Sequence, residues 1–370
     1  MKKFIYLFFT TLLSLFFRTF KKTKTPSFLI VSTTGIGDTL WATPSLKALR
    51  NHFPKAPITL LVTPTSKILL QPLNLHNTLF TLSSRSFFSF VKLFWPMRKM
   101  RFSHAIIFHS SQRPMLPFLH LLGCHSIIGT WGINKGFDRY LTQSIPLSYA
   151  HEIQRRINLC RLIGVETTDT SLSLVIKKSD TAALKQKLIR VLPSSHERPW
   201  ILFHPGAKDS YKRWPLSHFI SVAQALSTDS YTLIVTGSKE ELPLANSFVN
   251  QVKGSINLCG ELSLGLLGAL IQGSSLLITN DTGPMHMGFA LQTPTLALFS
   301  PTNPLLCGPF NLDPAKYSLC YKAATCSPCL KRKCASPLCH MQTGPDQVIK
   351  KVHQLLIKNS KSKVLVSKFS

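Results

Sequence analysis

Acidic residues are scarce in this 370-residue chain. It contains 15 aspartates and glutamates against 43 lysines and arginines, which leaves a formal net charge of +28 at pH 7. So basic a protein favours anionic partners such as phosphates, acidic lipids or nucleic acid. The few carboxylates therefore stand out wherever one lies in a loop or at the start of a helix.

Disorder is excluded by the composition, and a single domain is disfavoured by the length. The chain is 44% hydrophobic with a mean hydropathy of +0.13, too apolar for a disordered protein. Single hydrophobic cores usually stop growing at about 250–300 residues, so the length predicts two domains.

The amino terminus lacks the long apolar run of a typical membrane-spanning helix. Its uncharged stretch from Phe4 to Phe17 is shorter than the roughly 20 residues that a span needs. No small-residue cleavage site follows, and basic residues flank both ends. We expect residues 1–24 to form a hydrophobic and basic helix that lies on acidic lipids at the cytoplasmic leaflet. An uncleaved signal anchor and an ordinary packed helix are the alternatives.

The cysteines lack the second C-x2-C pair of a typical zinc site. Cys124, Cys160 and Cys259 lie singly in apolar surroundings and are predicted to be small core residues. A late segment, CYKAATCSPCLKRKCASPLCH, holds Cys320, Cys326, Cys329, Cys334, Cys339 and His340. Its basic residues favour thiolates, and the spacing permits a structural zinc on Cys326, Cys329, Cys334 and Cys339. A reduced, metal-free loop is the alternative.

Short apolar runs alternate with helical segments along the chain. In the first half the runs are Phe28–Val31, Ile58–Thr63, His104–Ser110 and Ser126–Thr130, and a helix is predicted from about Trp41 to Asn51. In the second half they lie within Trp200–Lys208, Tyr231–Glu241, Ser274–Leu291 and Thr293–Pro304. This alternation predicts an α/β protein with two parallel sheets, each covered on both faces. We expect domains at 25–190 and 191–350, a basic tail at 351–370, and a cleft between the facing loop edges.

The first loop of interest, STTGIGD, follows the first predicted strand. It contains Gly35, Gly37 and Asp38 at the carboxyl end of that strand, where ligands of α/β sheets bind. Asp38 is a candidate for catalysis. The alternative is that Asp38 caps the helix predicted at Trp41.

The segment NDTGPMH follows a later strand and has the features of an anion site. Asp281 or Thr282 can cap a helix, Gly283 removes a side chain, and Pro284 suits the first helical turn. Backbone N–H groups there can bind a phosphate, and His286 can add a donor. The alternative is a well-capped helix without a ligand.

Two more loops carry residues suited to a nucleotide. HPGAKDSYKRWP offers Gly206 for close approach and Lys212 to neutralise a departing diphosphate. Its alternative is a solvated basic loop. In TGSKEE, Glu240 or Glu241 can hold ribose hydroxyls at a strand end.

An aromatic and basic segment, RSFFSFVKLFWPMRKMRF at residues 85–102, is ambiguous. We rank contact with an acidic membrane first, a packed amphipathic helix second and nucleic acid third. Since no nucleic-acid-binding motif of recognised spacing occurs, no nucleic-acid partner is predicted.

Together, GIGD, HPGA with KRWP, and NDTGPMH occur in one order along the chain. This ordered set resembles glycosyltransferase family 9, the bacterial lipopolysaccharide heptosyltransferases, over about residues 27–347. The resemblance implies the GT-B fold, in which two Rossmann-like domains face each other across a cleft. It also implies inversion at the sugar carbon without a catalytic metal or other cofactor.

The resemblance assigns roles to particular residues. Asp38 becomes the general base for the acceptor hydroxyl, and positive charge or N–H groups are needed at the leaving diphosphate. The implied donor-side residues are Lys212 with the backbone of Thr282 and Gly283 at the diphosphate, Asp281 at the sugar, Glu241 at the ribose, Gly206 in its loop, and His286 supporting the phosphate loop.

The predicted function follows from this resemblance. We expect transfer of heptose from ADP-heptose to a lipid A–core glycolipid, at Kdo or heptose, on the cytoplasmic face of the bacterial inner membrane. The amino-terminal segment is not typical of the family and suggests firmer attachment to an acidic membrane surface. The alternatives are the same fold with another nucleotide-sugar or acceptor, and a non-catalytic membrane-attached binding protein.

Overall fold

The computed structural model divides into two compact units between Ser173 and Leu174. The residues that it describes are 25–84, 86–109, 115–192, 198–226, 230–311, 313–323 and 338–359. The predicted amino-terminal helix and Cys326, Cys329 and Cys334 lie outside these ranges. Among the described helices, none has the length and apolar character needed to cross a bilayer.

The first unit is built on a six-stranded parallel sheet. Its strands are β1 (Phe28–Ser32), β2 (Ile58–Val62), β3 (Thr78–Thr81), β4 (His104–Ile107), β5 (Ser126–Trp131) and β6 (Gln143–Pro146). They lie in the order β3-β2-β1-β4-β5-β6. Its helices are α1 (Ile36–Trp41), α2 (Thr43–His52), α3 (Pro64–Leu70), α4 (Phe87–Arg98), α5 (Met115–Leu121) and α6 (Glu152–Arg161).

Strand β1 shows why this sheet is parallel and covered on both faces. Phe28 and Ile30 pack into one hydrophobic cluster, whereas Leu29 and Val31 pack into another. All four side chains are fully buried. A strand buried on both faces reads as a continuous apolar run, as this one does.

The second unit repeats the architecture. Its strands are β7 (Trp200–His204), β8 (Thr232–Val235), β9 (Ile256–Asn257), β10 (Leu276–Asn280), β11 (Thr295–Phe299) and β12 (Tyr317–Tyr321). They lie in the order β12-β11-β10-β7-β8-β9, all parallel. Its helices are α7 (Lys178–Val191), α8 (Leu216–Leu226), α9 (Leu242–Gln251), α10 (Leu264–Gly273), α11 (Gly283–Ala290), α12 (Pro304–Cys307), α13 (Leu338–Met341) and α14 (Pro345–Asn359).

Both sheets have the strand order of a dinucleotide-binding fold, which confirms the α/β prediction of two Rossmann-like domains. In each, the strand order reverses beside the unit's first strand: between β1 and β4, and between β7 and β10. Ligands of such sheets bind at this reversal, outside the carboxyl ends of the strands. The loops containing GIGD, HPGA and NDTG all begin there.

The helix predicted over Trp41–Asn51 is wrong in its extent. The structure has helix α1 before it and a separate helix α2 from Thr43. Pro44 explains the break, because it lacks the N–H that a continuous helix needs and is tolerated in a first turn.

The predicted domain boundary at residue 190 places helix α7 in the first domain. The structure places this helix in the second unit, which begins at Leu174. It packs with helix α10 of the second unit, and Lys187 Nζ lies 2.5 Å from Glu261 Oε2. The linker thus precedes this helix rather than following it.

The predicted basic tail begins inside helix α14. Val352 and Leu355 on this helix are buried in the core of the second unit. Residues 351–359 are therefore part of the fold, and residues 360–370 lie outside the described ranges.

The isolated cysteines behave as predicted. Cys124, Cys160 and Cys259 are buried. Cys320 does not fit the thiolate expectation: burial raises its pKa to about 11, and the nearby Lys351 only partly offsets this. Its thiol is therefore protonated at neutral pH.

Candidate functional site

Asp38 lies in the first turn of helix α1, directly after β1. Gly35 is the N-cap residue, and Gly37 already belongs to the helix. The Asp38 side chain is 31% exposed. The alternative of a cap for a helix starting at Trp41 is wrong, because the helix around Asp38 begins at Ile36.

A buried arginine on helix α6 holds Asp38. Arg156 Nη2 donates to Asp38 Oδ1 at 2.9 Å, and Arg156 Nη1 donates to Glu152 Oε2 at 2.5 Å. The guanidinium carbon also lies 5.3 Å from the ring centre of Trp41. Arg155, buried as well, forms an ion pair with Glu152. Two arginines and two carboxylates thus form a cluster whose formal charges cancel.

This cluster keeps Glu152 ionised and holds Asp38 in one orientation. Burial tends to raise the pKa of Glu152, but the charges of Arg156 and Arg155 and their hydrogen bonds bring it below its usual value. Asp38 is fixed through one oxygen and is still partly exposed. It is therefore an oriented carboxylate that a substrate can reach, as a general base requires.

The sequence reasoning missed Arg156, although a signal was present. Arg156 has the spacing of the buried residues Ile153, Ile157 and Cys160 on helix α6. A charged residue on an apolar helical face needs a partner, because an unpaired buried charge is costly. Glu152 lies one turn earlier on the same helix, so the sequence already contained one of the two partners of Arg156.

In the second unit, the structure brings Lys212 and Asp281 together. Lys212 Nζ lies 2.6 Å from Asp281 Oδ2, and Thr302 Oγ1 donates to the same oxygen at 2.7 Å. Burial tends to lower the pKa of Lys212, but the Asp281 charge and hydrogen bond outweigh it and raise the pKa. Lys212 is therefore a firmly protonated cation at the carboxyl end of the sheet.

Helix α11 begins beside this pair. Thr282 is its N-cap residue, and within the described residues no side chain caps that end by a hydrogen bond. Pro284 occupies the first turn, as predicted. The N–H groups of this turn and the helix dipole are of the kind that can bind an anion. His286 is buried in the helix, and its ring lies nearly perpendicular to that of Phe289.

Asn280 connects the two main loops of the second unit. Its amide nitrogen donates to the carbonyls of Pro205 at 2.8 Å and Gly206 at 3.3 Å, and its oxygen accepts from Trp214 N at 3.0 Å. The side chain is fully buried. The HPGA and NDTG loops are therefore fixed relative to each other. The sequence reasoning missed this residue. The signal was an amide side chain directly at the end of an apolar strand.

Of the two glutamates in TGSKEE, Glu241 faces the HPGA loop. Its Oε2 accepts from Ser238 N at 2.8 Å, and its Oε1 lies 3.6 Å from Arg213 Nη2. The side chain is 9% exposed and lies against Gly206. Glu240 is exposed. Glu241 therefore stabilises its own turn by accepting from Ser238 N. It also lies after the carboxyl end of β8, where a ribose was predicted to bind.

Close packing at Gly206 gives a testable prediction. A Cβ atom at Gly206 would overlap the Glu241 carboxyl group, so Gly206→Ala must displace it. Displacing this carboxyl group breaks its hydrogen bond from Ser238 N, so we expect the free energy of unfolding to fall by about 1–3 kcal/mol, measured by denaturant titration. Gly344→Ala is the matched control, since a Cβ there meets no atom within 4 Å.

A double variant tests the cause. Adding Glu241→Ala to Gly206→Ala removes the overlapping group, so the double variant should lose less stability than the two single changes summed. Strict additivity would contradict the overlap.

Metal ligands do not gather in the part of the chain that the structure describes. No group of three or more His, Cys, Asp or Glu side chains suited to a metal occurs among those residues. Because Cys326, Cys329 and Cys334 lie outside them, the structural zinc stays a prediction.

Comparison with known proteins gives consistent matches. The family described as "Glycosyltransferase family 9 (heptosyltransferase)" matches residues 139–340. Lipooligosaccharide heptosyltransferase 2 of Campylobacter jejuni subsp. jejuni serotype O:2 is 27% identical over 346 residues, covering 88% of this chain and 97% of that protein.

Solved structures match the fold. Escherichia coli ADP-heptose LPS heptosyltransferase II superposes with a TM-score of 0.72 at 20% identity, covering 90% of this chain and 99% of that one. The glycosyltransferase family 9 protein of Veillonella parvula DSM 2008 gives 0.75 at 22% identity, covering 90% and 97%. At these identities the structural likeness establishes the fold.

Proposed function

This chain belongs to glycosyltransferase family 9 and is a glycosyltransferase, and we propose that it transfers heptose from ADP-heptose to a lipopolysaccharide inner-core acceptor. The acceptor sugar in this proposal is Kdo or heptose. Family membership makes the protein an enzyme, so the alternative of a non-catalytic binding protein is dropped.

One observation carries the proposal. The likeness to a lipooligosaccharide heptosyltransferase extends over 88% of this chain rather than over one motif. The E. coli structure that shares the fold is of an ADP-heptose lipopolysaccharide heptosyltransferase, which supports ADP-heptose as the donor.

The second unit supplies the groups that a nucleotide-sugar donor needs. Lys212 is a protonated cation beside the N-terminus of helix α11, where the backbone of Thr282 and Gly283 can receive phosphate oxygens. In our proposal these groups stabilise the leaving diphosphate. Asp281 then contacts the donor sugar, and Glu241 contacts the ribose.

The first unit supplies the base. In the proposed reaction the acceptor hydroxyl attacks the anomeric carbon, its proton passes to Asp38, and the bond from that carbon to the diphosphate oxygen breaks. ADP leaves, and a single displacement inverts the configuration. The reaction so drawn requires no metal, and Arg156 keeps the carboxylate oriented throughout.

We also propose a place for the enzyme. A lipid-linked acceptor and a nucleotide-sugar donor meet at the cytoplasmic face of the bacterial inner membrane. The formal charge of +28 suits acceptor phosphates, Kdo carboxylates and acidic lipids. Residues 1–24 are the proposed attachment segment.

Calorimetric titration of the full chain with ADP, UDP, GDP and CMP tests the donor. Preference for ADP, followed by detection of a heptosylated product from ADP-heptose and a Kdo-bearing lipid acceptor, is the expected result. Preference for another nucleotide would discard ADP-heptose but keep a glycosyltransferase. Absence of nucleotide binding would contradict the donor site in the second unit.

A further inference from the structure

Helix α4 exposes an unusual row of large apolar side chains. Phe87, Phe88, Val91 and Trp95 are all exposed to solvent. At about 100° per residue they fall within one continuous side of the helix. We call these four residues the aromatic face.

The opposite side of helix α4 is already used by the fold. Phe90 and Met97 are buried in the core of the first unit, and Leu93 and Phe94 pack partly against it. The aromatic face lies on the side of helix α4 that points away from this core. Exposed apolar patches of this kind mark interaction sites.

Positive charge borders the aromatic face. Lys92, Lys99 and Arg101 are exposed on or directly after the helix. The sequence contains no aspartate or glutamate between Asp38 and Asp138. This stretch of the chain is therefore basic throughout, which suits an anionic surface.

The chain enters the first unit beside this helix. Ser27 N donates to Ser103 Oγ at 2.8 Å, and Ser27 Oγ donates to the Arg101 carbonyl at 3.0 Å. Residues 1–24, apolar and then basic, thus join the fold next to the carboxyl end of helix α4. The described chain therefore begins at the basic end of helix α4.

We propose that the aromatic face binds the surface of an anionic bilayer, with Trp95 and the two phenylalanines at headgroup level. Trp is favoured at membrane interfaces, and lysine and arginine side chains bind acidic headgroups. A bilayer explains why basic residues lie beside the point where the apolar amino-terminal segment enters the domain. A protein partner would not require this arrangement. This inference rests on the proposed function, which includes a membrane partner, and it names the surface that contacts the membrane.

Fluorescence quenching by brominated lipid tests the contact in the full chain. Vesicles of phosphatidylethanolamine and phosphatidylglycerol with brominated acyl chains should quench part of the tryptophan emission. Trp95→Phe should remove most of the quenched component. Trp131→Phe is the matched control, since Trp131 is 59% exposed and Trp95 58% exposed. No tryptophan occurs in residues 1–24, so attachment through that segment does not imitate the signal.

The outcomes separate cleanly. Equal loss of quenching in both variants, or an unchanged quenched component in Trp95→Phe, overturns the proposal. The same holds when brominated vesicles do not quench the unaltered protein, because Trp95 then does not reach the acyl chains.

Nucleotide titration of the same samples keeps this result apart from the proposed function. Trp95→Phe should bind ADP like the unaltered protein. Loss of ADP binding in every sample, with Trp95 still quenched, would contradict the donor assignment and leave the lipid-binding face intact.

Discussion

Asp38→Asn should lower the catalytic rate by about 10²–10⁴-fold, the range expected when a general base is removed. The amide has the same shape and can still accept from Arg156, which lies 2.9 Å away, so the site geometry is retained. What is lost is the ability to take the acceptor proton. Affinity for the donor should stay within a few-fold, since the donor groups belong to other residues. The measurement is kcat from product formation at saturating donor and acceptor.

The control is Asp169→Asn, which removes a carboxylate of the same unit whose side chain is 50% exposed. Its rate should match that of the unaltered protein. Thermal unfolding of Asp38→Asn checks that the cluster around Arg156 survives the loss of one charge. A rate close to the unaltered value in a folded Asp38→Asn protein would remove Asp38 from catalysis.

Lys212→Ala should weaken ADP binding by roughly 30-fold or more. Loss of one partner of a buried charge pair costs about 2 kcal/mol or more, and 1.4 kcal/mol is tenfold in affinity. The variant also leaves the Asp281 carboxylate without its lysine, so that it repels an incoming diphosphate. Both effects have the same sign, and calorimetry with ADP measures their sum.

Two variants separate these effects. Lys208→Ala removes an exposed lysine of the same loop and should change ADP affinity little. Adding Asp281→Asn to Lys212→Ala removes the repulsion, so the double variant should regain part of the lost affinity. Unchanged ADP binding in Lys212→Ala would exclude this lysine from the phosphate site.

The sequence predicted the strands that appear as short continuous runs of apolar residues. The run at Phe28–Val31 is buried on both faces, and that alone indicates a strand in a covered parallel sheet. The repeat of this pattern in the second half predicted the second sheet. The loops at strand ends followed, because their glycine, proline and aspartate residues interrupt each apolar run.

What the sequence could not show was pairing over long distances along the chain. Arg156 and Asp38 are separated by 118 positions, and Asn280 and Pro205 by 75. No local period connects such residues. Asn280 meets Pro205 because the neighbouring strands β10 and β7 end at one edge of the sheet, whereas Arg156 meets Asp38 because helix α6 packs against helix α1. The break at Pro44 was a local signal that the predicted single helix overlooked.

The bond between Lys212 and Asp281 has a further consequence for selectivity. Lys212 is already neutralised by a carboxylate of its own chain, which Thr302 holds in place. If Lys212 binds the donor as proposed, the incoming anion must exchange with that carboxylate instead of meeting a bare ammonium group. Singly charged ions compete poorly in such an exchange, whereas a diphosphate brings more charge and several acceptor oxygens. In the proposed reaction the internal pair would form again as the nucleotide departs, and the protein itself would assist the release of its product.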